Sequence, residues 1–195
     1  PPPGPSTDTV TDTAPPATGA YGPEDLDRDA CLRQRSVYFD LDRDALRQNL
    51  AAEGLAAEPA GFAPETLLLQ GGNIAGSRAF RKGDCSVQGA ASQLVAHALN
   101  PQPGSRVLDI CAAPGGKTTH IAQLMRNQGQ LHAFDLHEHK IRLISDNCRR
   151  LGISMVRAAA ADSRRLAPEY QGWADYLLLD APCSGLGVLQ ARPDS

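Results

Sequence analysis

The segment Val107 to Thr119, reading VLDICAAPGGKTT, constrains the fold of this chain more than any other stretch. It begins with an apolar run of the kind found in buried parallel strands. Pro114, Gly115 and Gly116 then interrupt the strand with a turn of small residues, where a ligand can approach the backbone closely. Helical spacing returns from Lys117. A strand, a glycine turn and a helix N-terminus in this order are typical of a nucleotide-cofactor site in a doubly wound α/β sheet.

Three kinds of site fit this arrangement: a dinucleotide site, a phosphate-binding loop and an S-adenosylmethionine (SAM) site. The phosphate loop GxxxxGK[ST] needs a glycine five positions before Gly116, and that position is Cys111. The dinucleotide pattern GxGxxG is absent. SAM has no phosphates, so a tight turn of small residues and acids for its hydroxyl and amino groups suffice. The segment therefore favours a SAM site, with a glycine-rich connection that binds no ligand as the alternative.

Further strands and helices alternate along the second half of the chain. Apolar patterns predict strands at residues 130–134, 153–159 and 174–179, and helices over residues 89–99 and 138–151. This order predicts an α/β fold with a Rossmann-like parallel sheet and helices on both of its faces. An acid lies at or just beyond the end of each of the four strands: Asp109, Asp135, Asp162 and Asp180.

We expect these acids along one edge of the sheet, where open α/β sheets bind their ligands. Asp135 follows the second strand, about 20 residues after the glycine turn, where an acid can accept hydrogen bonds from both ribose hydroxyls. Asp162 is placed to meet the adenine amino group. Any single one of these acids can instead be a helix cap or a turn former.

The chain divides into three predicted segments. Residues 1–27 are rich in Pro, Thr, Ala and Gly and almost free of large apolar residues, which predicts a disordered linker. Residues 28–84 predict a small α/β subdomain, and residues 85–195 predict a second domain that carries the candidate SAM site. The subdomain's predicted elements are a strand at residues 36–39, a helix capped by Asp40 or Asp42 and ending near Glu53, a strand at residues 66–69, and a connection over residues 83–87.

Composition and charge limit the function classes. The net charge of −3 at pH 7 is not that of a general polyanion binder, although residues 81–195 carry a net charge of +3. The five cysteines are scattered and no CxxC pattern occurs, so we expect neither disulfides nor a metal site, and a cytoplasmic location. No apolar run approaches the roughly 20 residues of a membrane span, and no signal peptide is visible.

A second motif, DAPCSGLG at Asp180 to Gly187, follows the last predicted strand. The strand delivers an acid, then Pro182 and Cys183, then a glycine-rich loop. A cysteine at the mouth of a cofactor cleft is a candidate nucleophile or acid/base, whereas a lone cysteine elsewhere is most often a small buried hydrophobic residue. The proline before Cys183 and the glycines after it place it on a loop, which favours the functional interpretation.

Together, CAAPGGKTTH (Cys111 to His120) and DAPCSGLG resemble the Nop/Sun family of RNA cytosine-5 methyltransferases, in particular those of bacterial 16S ribosomal RNA. The resemblance covers residues 83–193. VQGAASQLVAHAL (Val87 to Leu99) is similar to a family helix that usually begins Val-Gln-Asp, with Gly89 in place of the Asp. Residues 36–82 resemble the family's small α/β subdomain only loosely.

The resemblance implies specific roles for residues of this chain. Asp135 would hold the ribose of SAM, Asp162 its adenine, and Asp180 would lie between the cofactor and the N3/N4 edge of the target cytosine. In the family a thiolate adds to C6 of cytosine, so that C5 can attack the SAM methyl group. The Pro-Cys cysteine, here Cys183, then assists breakdown of the adduct and release of the RNA. The implied lining of the SAM pocket is Cys111, Ala112, Ala113, Pro114, Gly115, Gly116 and Lys117.

The sequence departs from the family in a second respect, because the Thr-Cys pair that supplies the attacking thiolate occurs nowhere in it. The resemblance thus implies that residues 85–195 are a SAM-dependent methyltransferase domain that is incomplete at its C-terminus. We therefore expect a fragment of a longer enzyme, which binds SAM but does not methylate RNA alone. The implied partner is RNA, through a single-stranded or flipped-out cytosine of ribosomal RNA, and the complete enzyme is expected to be a monomer. The alternatives are a SAM methyltransferase with another substrate, a P-loop nucleotidase, and a non-catalytic SAM- or RNA-binding remnant.

Overall fold

The computed structural model defines residues 35–38 and 43–181 and folds them around two β-sheets. The first sheet consists of β1 (Arg35–Tyr38), β2 (Ala57–Pro59), β3 (Thr66–Leu69) and β4 (Ser86–Gln88). Its strand order is β2-β3-β1-β4, and every pair is antiparallel. Two helices accompany this sheet, α1 (Arg43–Ala52) and α2 (Arg78–Lys82), with a 3-10 turn at Ile74–Gly76 before the second.

Local sequence explains these elements. Leu46 and Leu50 are one helical turn apart in α1, and both are buried. Ser77 caps α2 by accepting a hydrogen bond from the Phe80 backbone N–H at 3.0 Å. Gly83 ends the helix in the left-handed conformation, with φ of +84°.

The second sheet is entirely parallel. Its strands are β5 (Arg106–Ile110), β6 (Gln130–Asp135), β7 (Val156–Ala160) and β8 (Tyr176–Leu179). The helices around it are α3 (Ala90–Leu99), α4 (Gly116–Leu124), α5 (Glu138–Arg150) and the short α6 (Ala167–Tyr170), which follows a 3-10 turn at Ser163–Arg165.

The strand order of this sheet, β7-β6-β5-β8, reverses direction at β5. The chain moves outward from β5 through β6 to β7 and then crosses back to place β8 on the other side of β5. Such a reversal opens a crevice at the C-terminal ends of the two central strands, because the connections leave in opposite directions. The ligand edge of the sheet is therefore centred on the residues that follow β5.

The main core lies between one face of the second sheet and the long helices. Val107 and Leu131 point from the strands toward Ile121 of α4 and Ile144 of α5, and all four side chains are fully buried. Burying an aliphatic side chain of this size contributes about 1.5–3 kcal/mol. The opposite face carries an aromatic cluster in which His132 of β6 stacks on Trp173 with ring centroids 4.5 Å apart. The helices α3, α4 and α5 pack on the first face, and the short α6 lies on the second. On that second face Leu177 and Leu179 of β8 are exposed, so the prediction of helices on both faces holds only in part.

One arginine joins the first sheet's subdomain to the second. The Nη1 atom of Arg150, at the end of α5, donates hydrogen bonds of 2.8 Å to the carbonyl oxygens of Phe80 and Cys85. Its guanidinium carbon lies 3.9 Å from the centroid of the Phe80 ring. Gly83 is required at this contact, because a Cβ atom there would lie 1.7 Å from the Arg150 carbonyl oxygen.

The predicted strands and helices are present, with end points that differ by a few residues; the third strand of the parallel sheet begins at Val156 rather than near residue 153. The predicted connection over residues 83–87 is wrong in part, because Ser86–Gln88 is a strand that pairs with β1. The first sheet therefore extends beyond the predicted subdomain boundary at residue 84.

Three further elements have no counterpart in the prediction, because segments this short carry little periodic signal: Ala57–Pro59, Arg78–Lys82 and Ala167–Tyr170. The predicted linker at residues 1–27 lies outside the described residues. Within the described part of the chain, no helix has both the length and the apolar character needed to cross a membrane.

Candidate cofactor and base site at the edge of the parallel sheet

The turn that follows β5 is tied to the end of β6 by three backbone amides. The N–H groups of Cys111 and Ala112 both donate to the Phe134 carbonyl oxygen, at 2.9 and 2.8 Å. The next amide, that of Ala113, donates to Oδ2 of Asp135 at 3.2 Å. These amides already have acceptors within the protein, so they do not form the open ring of donors that cradles phosphate in a P-loop.

The turn then passes through a cis Ala113–Pro114 bond and into α4. Gly115 has a φ of +100°, and a Cβ atom there would lie 3.0 Å from the Cα atom of Ile144. Glycine is needed at this position for packing against α5. Gly116 differs, since the nearest atom to an added Cβ is Gln88 Nε2 at 3.9 Å. Gly116 therefore leaves room above the turn.

Asp109 lies beneath the turn. Its carboxylate is 1% exposed, and its Oδ2 atom accepts a hydrogen bond of 2.6 Å from the Thr118 hydroxyl. Burial raises the pKa of this carboxyl to about 6, although the Thr118 hydrogen bond and the Lys117 charge act in the opposite direction. Asp109 therefore supports the turn from below, through the first turn of α4.

Asp135, the last residue of β6, faces the turn from the side. Its Oδ2 atom accepts from Ala113, its Oδ1 atom accepts from the His137 N–H at 3.3 Å, and Lys140 Nζ lies 3.7 Å from Oδ1. A carboxylate has about four acceptor positions. Asp135 is buried, at 8% exposed, but its carboxylate keeps acceptor positions for hydrogen bonds from a ligand at this edge.

Strand register places Asp180 on the other side of the turn. Ile110 is aligned with Leu179, so Cys111 and Asp180 follow in the next row. Lys117, at the start of α4, crosses this row and forms an ion pair of 2.6 Å between its Nζ atom and Oδ2 of Asp180. The Asp180 side chain is 53% exposed, so its carboxylate is held in place yet remains accessible.

The electrostatic field around Cys111 is negative. Burial raises the pKa of the Cys111 thiol, and the carboxylates of Asp135, Asp109 and Asp180 raise it further, against a smaller opposite effect of Lys140. Cys111 is therefore protonated near neutral pH and is not an activated nucleophile. A site of this polarity suits a cationic ligand better than a phosphate.

The carboxylate of Asp162, which the sequence predicts to contact adenine, binds a neighbouring arginine in the structure. Asp162 caps the 3-10 turn after β7, and its carboxylate accepts hydrogen bonds from the backbone, Nε and Nη2 of Arg164. These bonds lower the pKa of Asp162 to about 2. The contact with adenine stays a prediction, and it requires the exposed Arg164 side chain to share or release this carboxylate.

The structure thus brings together most of the predicted site. The turn residues, Asp135 and Asp180 converge at the reversal of strand order, while Cys183 lies outside the described residues. Asn147 of α5, which no sequence pattern indicated, donates from Nδ2 to the Pro114 carbonyl oxygen at 3.2 Å and holds the turn from the helix side. Its position one turn along α5 from Leu143 is unremarkable in sequence, so only the packing of α5 reveals it.

The class I SAM-dependent methyltransferase fold has three features that are all present here. Its parallel sheet reverses order at the first strand, a turn of small residues follows that strand, and an acid ends the second strand. A methyltransferase homologue from Pyrococcus horikoshii has the same fold. The two structures superpose with a TM-score of 0.71 at 33% sequence identity, over 80% of this chain and 53% of the homologue.

The chain belongs to the 16S rRNA methyltransferase RsmB/F family, whose model matches residues 96–195. It is 44% identical over 154 residues to the probable ribosomal RNA small subunit methyltransferase B of Bacillus subtilis, which is 78% of this chain and 34% of that protein. It is also 44% identical over 111 residues to the tRNA (cytosine(72)-C(5))-methyltransferase of Pyrococcus horikoshii, 57% of this chain and 28% of that protein. The chain thus spans about a third of the length of these relatives, and the resemblance to RNA cytosine-5 methyltransferases is confirmed.

Proposed function

We propose that this chain forms the cofactor-binding part of a SAM-dependent enzyme that methylates C5 of a cytosine in RNA. The observation that carries the proposal is the convergence of Asp135, the turn at residues 111–117 and the Lys117–Asp180 ion pair at one sheet edge, in a member of the RsmB/F family.

The residues present fit SAM in chemistry and in charge. SAM carries a sulfonium, which matches the negative field that the three carboxylates produce at Cys111. Asp135 has acceptor capacity for ribose hydroxyls, and Gly116 leaves space above the turn. A P-loop nucleotidase is a weaker alternative, because the amides of Cys111 and Ala112 already bond Phe134. When bound, SAM supplies an electrophilic methyl carbon.

The Lys117–Asp180 pair is placed to orient the target base. A carboxylate can accept a hydrogen bond from the N4 amino group of cytosine, and the ion pair with Lys117 holds Asp180 at the cofactor edge. Cys183 follows Asp180 closely in sequence, and we assign it the helper role in release of the product. The sequence has no Thr-Cys pair, so we assign the attacking thiolate to none of its cysteines.

The RNA substrate is proposed from the relatives. One relative is named for small-subunit ribosomal RNA and the other for C5 of a tRNA cytosine, so cytosine C5 in RNA is the shared chemistry. The longer match to the Bacillus subtilis protein favours ribosomal RNA, and with it a cytoplasmic location.

Calorimetric titration with SAM tests the cofactor site. The variant Asp135→Asn keeps the size of the side chain but removes the charge and half of the acceptor capacity, and we expect SAM affinity to fall at least tenfold, about 1.4 kcal/mol. Asp146→Asn is the matched control, since Asp146 is an exposed acid on α5 that pairs with Arg149, away from the turn. We expect that variant to bind SAM as the parent does.

Equal SAM affinities for the two variants would contradict the role of Asp135. Binding of ATP but not of SAM by a folded chain would contradict the whole proposal and favour the nucleotidase. Melting temperatures of both variants, measured in parallel, separate loss of the ligand contact from loss of the turn that Asp135 also holds.

A further inference from the structure

A cluster of two histidines and a glutamate lies at the junction between the two sheets. Nε2 of His97 and Nε2 of His120 both contact Oε1 of Glu65; the distance for His120 is 3.0 Å. The three donor atoms lie within 4.8 Å of one another. Glu65 directly precedes β3, His97 is in α3 and His120 is in α4. Three separate elements therefore aim nitrogen and oxygen donors at one point.

This donor set is one that divalent transition-metal ions prefer. Two imidazoles and one carboxylate bind Zn²⁺ in many proteins, with a water molecule in the fourth position. Tetrahedral donors at about 2.0–2.1 Å from zinc lie roughly 3.3 Å from each other. The distance between His120 and Glu65 is 0.3 Å short of that value and the contact between His97 and Glu65 is shorter still, so the carboxylate has to move away from both imidazoles to admit an ion.

Access to the three donor atoms is also suitable. The His120 side chain is 1% exposed, whereas those of His97 and Glu65 are 30% and 17% exposed. A metal ion can therefore enter from the His97 side, and a water ligand can reach it there.

We propose that Glu65, His97 and His120 bind a divalent transition-metal ion, with Zn²⁺ as the ion to test first. The ion would join the N-terminal subdomain to α4, the helix that begins at the cofactor turn. It would act as a structural clamp between the two sheets, and it takes no part in methyl transfer. The proposal does not depend on the function proposed above.

The cysteine pattern predicted no metal site, and this inference departs from that prediction. The cysteines are not involved. The two histidines are 32 and 55 residues from Glu65 along the chain, and no compact sequence motif links the three residues. Only the packing of α3 and α4 against the end of the first sheet brings them together.

The test is calorimetric titration of the chain with ZnCl₂, together with visible absorption spectra of the Co²⁺ complex. We expect one equivalent of tight binding and the d–d bands of Co²⁺ in a four-coordinate site. Glu65→Gln and His97→Ala should each weaken Zn²⁺ binding at least about 100-fold, since even outer-shell partners of metal ligands contribute 10- to 100-fold. His97→Ala is the milder variant, because that side chain is partly exposed.

The matched control is the double variant His137→Ala/His139→Ala. These two exposed histidines stack on each other with ring centroids 5.5 Å apart and offer an alternative surface site for zinc. We expect this variant still to bind one equivalent of Zn²⁺ tightly. We also expect Zn²⁺ to raise the melting temperature of the parent but not that of His97→Ala.

Loss of the tight equivalent in the His137/His139 variant, with Glu65→Gln unaffected, would overturn the proposal and assign the binding to the surface pair. Absence of tight Zn²⁺ and Co²⁺ binding by the folded parent chain would overturn it as well, and would leave the cluster as a hydrogen-bonded contact between the sheets.

Discussion

Asp109 is a buried carboxyl whose titration should be visible in the stability of the protein. It is 1% exposed beneath the cofactor turn, with the Thr118 hydroxyl as its hydrogen-bond donor. Burial raises its pKa from the ordinary value of 3.8 to about 6. An acid with a raised folded-state pKa binds its proton more tightly in the folded than in the unfolded protein. Its contribution to stability is therefore complete below pH 3.8 and is lost as the pH rises through 6.

The size of the effect follows from the two pKa values. Each pKa unit corresponds to about 1.4 kcal/mol. The ionised Asp109 carboxylate thus costs the folded state about 3 kcal/mol at pH 7, relative to pH values at which it is protonated. Asp109→Asn removes the charge and leaves an oxygen that can accept the Thr118 hydroxyl. We therefore expect this variant to avoid the loss of stability that Asp109 causes in the parent between pH 4 and pH 6.

The assay is urea unfolding of both proteins at several pH values from 4 to 7.5, followed by circular dichroism. The free energy of unfolding of Asp109→Asn relative to the parent should rise by about 3 kcal/mol across this range. Parallel pH profiles would refute the argument, because they would mean that Asp109 does not titrate at a raised pKa.

Asp175→Asn is a suitable control for this pH series. Hydrogen bonds from the backbone and side chain of Arg106 lower the pKa of Asp175, and the residue is exposed at the start of β8. The contribution of a group with a lowered pKa is lost only as the pH falls below the ordinary value of 3.8, which is outside the assay range, so the Asp175→Asn profile should run parallel to that of the parent from pH 4 to 7.5.

Further substitutions test the turn and the junction between the sheets, each by urea unfolding. Gly115→Ala places a Cβ atom 3.0 Å from the Ile144 backbone at a positive φ, so we expect a loss of about 2–4 kcal/mol, whereas Gly116→Ala, with open space, should change stability little. A similar loss for both would contradict the packing argument. Arg150→Ala removes two hydrogen bonds to carbonyl oxygens and a ring contact, which we expect to cost about 2–4 kcal/mol. Arg149→Ala, next to it but 77% exposed, should stay within about 0.5 kcal/mol of the parent, and equal effects of the two changes would refute the role of Arg150.

Much of the fold follows from local patterns in the sequence. The apolar runs of β5, β6 and β8, the amphipathic helix α5 and the glycine turn at Gly115 all have strong local signals, and their order predicts a parallel sheet. Short elements were missed or misplaced. The strand Ser86–Gln88 forms because it pairs with β1, which is a contact that no local pattern announces.

The candidate site, like the fold, could be predicted from local sequence only in part. The acid after each strand could be located because a strand end and an acid are neighbours in sequence. What each acid binds depends on the register of separate strands and on side chains from other elements. Asp162 illustrates this, since it follows its strand as predicted but bonds Arg164.

The sequence by itself therefore determined the class of fold, the family, and the turn and acids that form the cofactor edge, because each of these depends on residues close together in the chain. Tertiary structure alone decided that Lys117 pairs with Asp180, that Arg150 joins the two sheets, and that Glu65, His97 and His120 converge. These contacts join residues tens of positions apart. Their geometry is set by strand register and helix packing, which no short segment of the sequence encodes.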